Sequence, residues 1–467
     1  MIELLKLCGF TDSEIEAQLP RVAAVFSRFG VTAEDIERGK QRLNKYYDLE
    51  MPGVRQAVRL CIKDLTNMVL AREEGKQKVI YGFMAPGFEI LGSALLSKSS
   101  AVHVASLFPS LHFIIGCVFD KIVPILEAAE RKWLKSGKIA HCGNVKTLVG
   151  LFALDLIPRP DLLVTSGFLC DTAPKAIDLI QELYGIPTYY YDSCHDREFR
   201  EYPDDIRVTG LAAKSLRRFA LKVQEVVGFE ITDDMLQEAI DARGGLSTAM
   251  KNIHNLMDSG DPLPLSANHD LLCHTMSTLP RGKSDTGEPL AILNTIYEAM
   301  QDRVRKGIGA VEKGAPRVLA LNPHHMNDPR MEHLLGELGI ALVSSETGFF
   351  APHGERDPAG EKPADPYEKL AQSLRTSLAQ GLSARAAIII EACRRLNVDG
   401  VLDKYHVGCR MGAADAMLLK DAITQQLGIP VLLMEWEGFD PRAYNEEQCR
   451  RRLELFKDVL ISSRQPE

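Results

Sequence analysis

The chain has 467 residues, 45 % of them apolar and 25 % charged, with a formal net charge of −8. That length supplies core for two or three domains, and the acidic balance leaves no basic footprint for nucleic acid. No apolar run approaches the roughly 20 residues that cross a bilayer, and Met1-Ile2-Glu3-Leu4-Leu5-Lys6 lacks a signal-peptide layout. A cytoplasmic protein with no membrane and no nucleic-acid partner is therefore expected.

Four regions follow in chain order. Residues 1–75 are expected to be a helical N-terminal segment, with helix starts at Thr11-Asp12-Ser13-Glu14 and Thr32-Ala33-Glu34-Asp35. Residues 76–205 are expected to form a first α/β lobe. It opens on the strand Lys78-Val79-Ile80-Tyr81-Gly82-Phe83, which Met84-Ala85-Pro86-Gly87 breaks. Glu89 then lies at a strand-to-helix junction. It is either an active-site carboxyl or a first-turn acid favoured by the helix dipole. Residues 206–312 read as a helical connector with a polar surface loop at 277–289. Residues 313–467 read as a second α/β lobe, opening on Arg317-Val318-Leu319-Ala320-Leu321. The fold class expected is α/β, with two Rossmann-like parallel-sheet lobes, the helical preface and the helical connector.

Two stretches look like copies of one unit. The first runs from Pro160 through Cys170-Asp171-Thr172 to Tyr184-Gly185-Ile186-Pro187; the second runs from Val398 through Cys409 to Leu427-Gly428-Ile429-Pro430. In each, an apolar strand ends in a polar loop with a cysteine, a helix returns the chain, Gly stops it, and Ile-Pro opens the next strand. Parallel strands need such a crossover, and loops after their carboxyl ends line the binding crevice of open parallel sheets.

The 10 cysteines divide by setting. Cys8, Cys61, Cys117 and Cys393 fall in apolar stripes and read as core thiols. Cys142 in His141-Cys142-Gly143, Cys170 and Cys409 lie at polar junctions. Three such thiolates suit a 4Fe–4S cluster with one iron left open, a zinc ion with an open position or a redox disulfide, and their spacing does not choose among these. Cys194 and His195 form another strand-end pair that could reach the same crevice. His324 and His325 are candidates for positioning a substrate. His269, Cys273 and His274 could contribute to a zinc site. No phosphate loop, dinucleotide fingerprint or nucleophile elbow is present.

At these residues the sequence resembles the 2-hydroxyacyl-CoA dehydratase and benzoyl-CoA reductase family. The likeness rests on Cys170-Asp171-Thr172 with Pro174-Lys175, on Asp399-Gly400-Val401 with Cys409, on the two Gly-Ile-Pro turns, and on Asp440-Pro441-Arg442 with Glu446-Glu447-Gln448. It covers roughly residues 78–465. The resemblance implies a 4Fe–4S cluster, or in one branch a double-cubane 8Fe–9S cluster, held by Cys142, Cys170 and Cys409. It also implies a separate ATP-hydrolysing iron–sulfur activator, a homologous second subunit or a homodimer, and an acyl-CoA or other small-molecule substrate. The chemistry implied is radical dehydration or reduction. Glu89 corresponds to the family's proton-transfer carboxylate, here in Pro86-Gly87-Phe88-Glu89. Lys175 and Arg410 are candidates to contact cofactor or phosphate. A non-catalytic partner subunit is the other role that the resemblance allows.

Overall fold

The computed structural model describes residues 1–133, 141–167, 171–192, 206–322, 327–346, 365–375, 382–406 and 408–464. Strands β1 (Lys78–Phe83), β2 (Val102–Ser106), β3 (Leu162–Ser166) and β4 (Thr188–Tyr191) form one sheet in the order β2-β1-β3-β4. Strands β5 (Arg317–Leu321), β6 (Ala341–Ser345), β7 (Gly400–Asp403) and β8 (Val431–Leu433) form a second in the order β6-β5-β7-β8. Every pairing is parallel. The architecture is thus α/β with two parallel-sheet lobes, as the sequence pattern predicts, and the two lobes share one strand order. The crossover helices Thr172–Tyr184 and Arg410–Leu427 end on Gly185 and Gly428, both left-handed at φ +66° and +69°, where glycine carries no Cβ penalty.

The N-terminal segment is helical, as expected: Ile2–Leu7, Asp12–Arg28, Ala33–Tyr46 and Pro52–Leu70. Thr11 and Thr32 each close a capping box, with Glu14 and Asp35. These helices are fused to the first lobe. Tyr81 on β1 donates its hydroxyl to the Met68 carbonyl at 3.0 Å, and the Phe26 and Phe119 rings meet edge to face at 4.8 Å. Burying each such aromatic contributes roughly 1.5–3 kcal/mol.

The connector supplies the long helices Ile206–Val227, Asp233–Ser259 and Gly287–Lys306 and the shorter Ala267–Thr278. The first two cover one face of the first sheet, where Leu216, Phe219, Val223 and Leu236 pack on Ile80, Phe88, Leu91 and Val164. The helix Pro366–Arg375, which follows β6 of the second lobe, joins this layer through Tyr367, Leu370, Ala371 and Leu374. The apolar run after β2 becomes a π-helix, His112–Val118, set so deep in the core that every residue in it is buried. No helix among the described residues is long and apolar enough to cross a membrane.

Candidate functional site

The loop after β1 is set by hydroxyls. Thr165 Oγ1 donates to the Phe83 carbonyl at 2.5 Å, Ser166 Oγ to Met84 at 3.3 Å and Tyr191 Oη to Pro86 at 2.6 Å. These come from β3 and from the end of β4, so the neighbouring strands lash the loop in place. Gly87 then caps the helix Phe88–Lys98 in a left-handed conformation, and its N–H donates to Glu89 Oε2 at 3.0 Å. Glu89 is half-buried. Burial raises its carboxyl above the usual range against the opposing charge of the buried Arg243. Glu89 therefore caps its own helix and sits at the carboxyl end of β1 in a setting that shifts it toward its neutral form.

Cys142 is the N-cap of the helix Gly143–Ala153, and Cys409 is the N-cap of Arg410–Leu427. One belongs to each lobe, and both are half-buried. Cys409 Sγ accepts the Gly412 N–H at 3.4 Å. A helix start presents unsatisfied N–H groups and the positive end of the helix dipole, which favour a negative ligand atom. Cys8, Cys61, Cys117, Cys273, Cys393 and Cys449 are buried instead, and burial pushes the Cys8 and Cys393 thiols up to about 12. Cys170 lies outside the described residues, as do Cys194, His195, His324 and His325.

The two lobes meet beside these cysteines. The Gly143 N–H donates to Glu437 Oε1 at 3.3 Å, and Glu437 Oε2 lies 2.9 Å from His406 Nε2. The His406 carbonyl in turn accepts the Cys409 N–H at 2.9 Å. A chain of Gly143, Glu437 and His406 thus links the backbone next to Cys142 with that of Cys409. Gly143 must be glycine here, since a Cβ would fall 2.4 Å from the Phe439 carbonyl oxygen. His112 of the π-helix stacks on Phe108 at 4.5 Å and lies 6.0 Å from Phe439. Burial pulls its pKa to about 3, so the imidazole in this seam is neutral.

The seam is bolted by ions. Glu130 meets Arg442 at 2.8 Å and Lys146 at 3.1 Å, and Asp440 meets Arg442 at 2.6 Å and Lys146 at 3.8 Å. Among the described residues, two carboxylates face two cations here. Lys146 stands one turn beyond Cys142 on the same helix. The Asp440-Pro441-Arg442 motif therefore has a positional role: it ties the second lobe to the helix that Cys142 begins. Hydrogen bonding from Arg442 holds the Glu130 carboxyl down to about 2 against burial.

The remaining expected residues fall as follows. Lys175 is exposed and paired with Asp171 at 2.8 Å. Arg410 is the first residue of the helix that follows Cys409. His269 accepts the Asp48 N–H on Nε2 at 2.7 Å and meets Ser266 Oγ through Nδ1, so its ring is committed to holding loops together. Among the described residues no three His, Cys, Asp or Glu side chains are grouped to hold a metal; the expected third thiol, Cys170, is not one of them. Glu437, His406 and the ion bolt escape sequence reading because their partners are remote. Only the strand-end position of 435–442 pointed toward them.

The model of the 2-hydroxyglutaryl-CoA dehydratase D-component family matches residues 102–460. One of the chains of the benzoyl-CoA reductase from Thauera aromatica is 23 % identical over 356 residues, covering 69 % of this chain and 77 % of that relative.

Proposed function

Because the chain belongs to the family of the 2-hydroxyglutaryl-CoA dehydratase D-component, we propose that it is the cluster-bearing subunit of a 2-hydroxyacyl-CoA dehydratase or aromatic acyl-CoA reductase, served by a separate ATP-hydrolysing activator. The observation that supports this most is the pair of cysteines from different lobes, each starting a helix, joined through Gly143, Glu437 and His406. Thiolates at such positions suit an iron–sulfur cluster. Cys142, Cys170 and Cys409 would hold it.

When bound, the cluster supplies single low-potential electrons beside the thioester. The chain's own residues do the rest. Glu89, whose carboxyl is raised above its usual range by burial, is the proton-transfer group in this reading. His112, neutral and enclosed by Phe108 and Phe439, adds no positive charge of its own to the seam. The ion bolt holds the Cys142 helix against the second lobe, which limits water entry from that side. Lys175 and Arg410, at the starts of the two crossover helices, are the cations we assign to anionic parts of the substrate or to the cluster edge.

Anaerobic purification with iron, sulfide and zinc analysis tests the reading. About four irons and four sulfides per chain, with a low-potential paramagnetic signal after reduction, are expected for one cubane. A higher loading, shared between bridged cubanes, selects the double-cubane reductase. Zinc without sulfide, or a folded chain that takes up no metal, overturns the proposal; the metal-free result leaves the non-catalytic partner role. Turnover of a 2-hydroxyacyl- or aromatic acyl-CoA only in the presence of activator and ATP completes the test.

A further inference from the structure

The carboxyl ends of β5, β6 and β7 carry a charged group that the proposed chemistry leaves without a task. Asn322 follows β5, Glu346 follows β6 and Asp403 ends β7. Glu346 and Asp403 are each 1 % exposed. Arg385, from the helix Leu382–Arg395, grips Glu346 at 2.6 and 2.9 Å and reaches Asp415 at 3.2 Å. Asn322 donates its N–H to Glu346 at 2.7 Å and its Nδ2 to Asp403 Oδ1 at 2.8 Å. Among the described residues, Asp403 Oδ2 has no hydrogen-bond partner, and neither does Ser345 Oγ, which precedes Glu346. Lys404 turns away and pairs with Glu332 at 2.9 Å.

Among the described residues, three carboxyls (Glu346, Asp403, Asp415) therefore face one guanidinium, Arg385. Acids crowded in a buried site do not all ionise together, and the one without a cation on its oxygens is Asp403. Burial, opposed by Arg385 and reinforced by Glu346, raises its pKa to about 7. The group also adjoins the proposed ligand. A Cβ on Gly412 would lie 2.8 Å from Asn322 Oδ1 and 3.6 Å from Cys409 Sγ. One glycine separates the sulfur from Asn322, and Asn322 holds Asp403.

We propose that Asp403 is a redox-linked proton site: its carboxylate takes up a proton when an electron reaches the cluster held at Cys409, and releases it when the electron leaves. This rests on the cluster reading above. The balance is simple. One electron comes from the low-potential activator, one proton comes from water, and one O–H bond forms on Asp403; oxidation reverses each step. Added negative charge nearby raises the proton affinity of a buried carboxylate, and the proton cancels the charge that the lobe would otherwise have to bury.

Asp403→Asn keeps an acceptor for Asn322 and cannot titrate. Anaerobic redox titration of the iron-loaded protein, followed by its paramagnetic signal, should give a wild-type midpoint that falls toward about 59 mV per pH unit across neutrality, the tenfold step for one electron. The variant should be nearly flat. An equal slope in both overturns the proposal. Infrared difference spectra of the metal-free chain, between about pH 5 and about pH 9, supply an independent reading. A protonated-carboxyl band should vanish with rising pH in the wild type and be missing from the variant; an unchanged band overturns the proposal even where iron binds. If no iron binds, the function reading fails, and the infrared arm alone decides whether Asp403 is a proton site. Should Asp403→Asn fail to fold, Glu346→Gln should move the wild-type titration to lower pH, and no movement counts against the assignment.

Discussion

The two lobes share a strand order but use their strand ends differently. In the first, neutral hydroxyls from Thr165, Ser166 and Tyr191 tie down a loop around one carboxyl, Glu89. In the second, ions gather at the strand ends: Glu346 after β6 and Asp403 at the end of β7, with Asn322 between them and Arg385 reaching in from a helix. One scaffold thus offers a shaped, weakly charged wall and a charged one, and each presents a cysteine at a helix start. The contrast separates shaping a loop from storing charge.

Removing a cysteine tests the feature the lobes share. Cys409→Ala should abolish most iron loading with folding retained, read as iron per chain after anaerobic purification, and Cys142→Ala should do the same. A loss at Cys194→Ala in place of Cys142→Ala would move the third ligand to Cys194.

Breaking the bolt between the lobes comes next. Lys146 and Glu130 are 4 % and 5 % exposed at their side chains, so Lys146→Ala leaves a buried carboxylate short of a partner and should cost about 3–5 kcal/mol in denaturant unfolding. A cost below about 1 kcal/mol, the level of a surface pair, would show that the bolt is not desolvated.

Stability against pH should separate the lobes by sign. Glu130 falls from an ordinary 4.5 to about 2, so its contribution is present above the unfolded value and is lost as pH falls toward 2. Asp403 rises from 3.8 to about 7. Between those values the folded state binds the extra proton, so stability declines as pH climbs from about 4 to about 7 and is flat beyond. The roughly three-unit shift corresponds to about 4 kcal/mol. Asp403→Asn should remove that decline, and Glu130→Gln should leave it intact; melting temperatures across the range decide.

The smallest effect belongs to the hydroxyl wall. Tyr191→Phe deletes the hydroxyl that donates to the Pro86 carbonyl and should cost about 1 kcal/mol. Its larger signature would be looser positioning of Glu89, seen as a lower kcat with little change in KM.

Local chemistry made much of this legible. The capping boxes at Thr11 and Thr32 and the helix stops at Gly185 and Gly428 depend on residues within a turn of each other, and a reading along the chain finds them. The alternation of apolar strand, polar loop and helix revealed the two parallel sheets for the same reason. Cys142 and Cys409 stood out because a thiol in a polar junction breaks the apolar pattern around core cysteines. The pairing of Gly143 with Glu437, 294 positions apart, has no local signature. Neither does the state of Asp403, which is set by Arg385 and Glu346 rather than by its own strand. The run at 112–118 is apolar nearly throughout, so no periodicity distinguishes a π-helix from a strand.

The helix Pro366–Arg375 leaves the second sheet and lies down among the helices that roof the first, with Gly87 close beneath Leu370 and Leu374. The halves are therefore interleaved, like pages from two books shuffled together. A fragment ending before residue 366 would leave Phe219 and its neighbours without their cover, and two fragments made separately should recover the native form only when mixed.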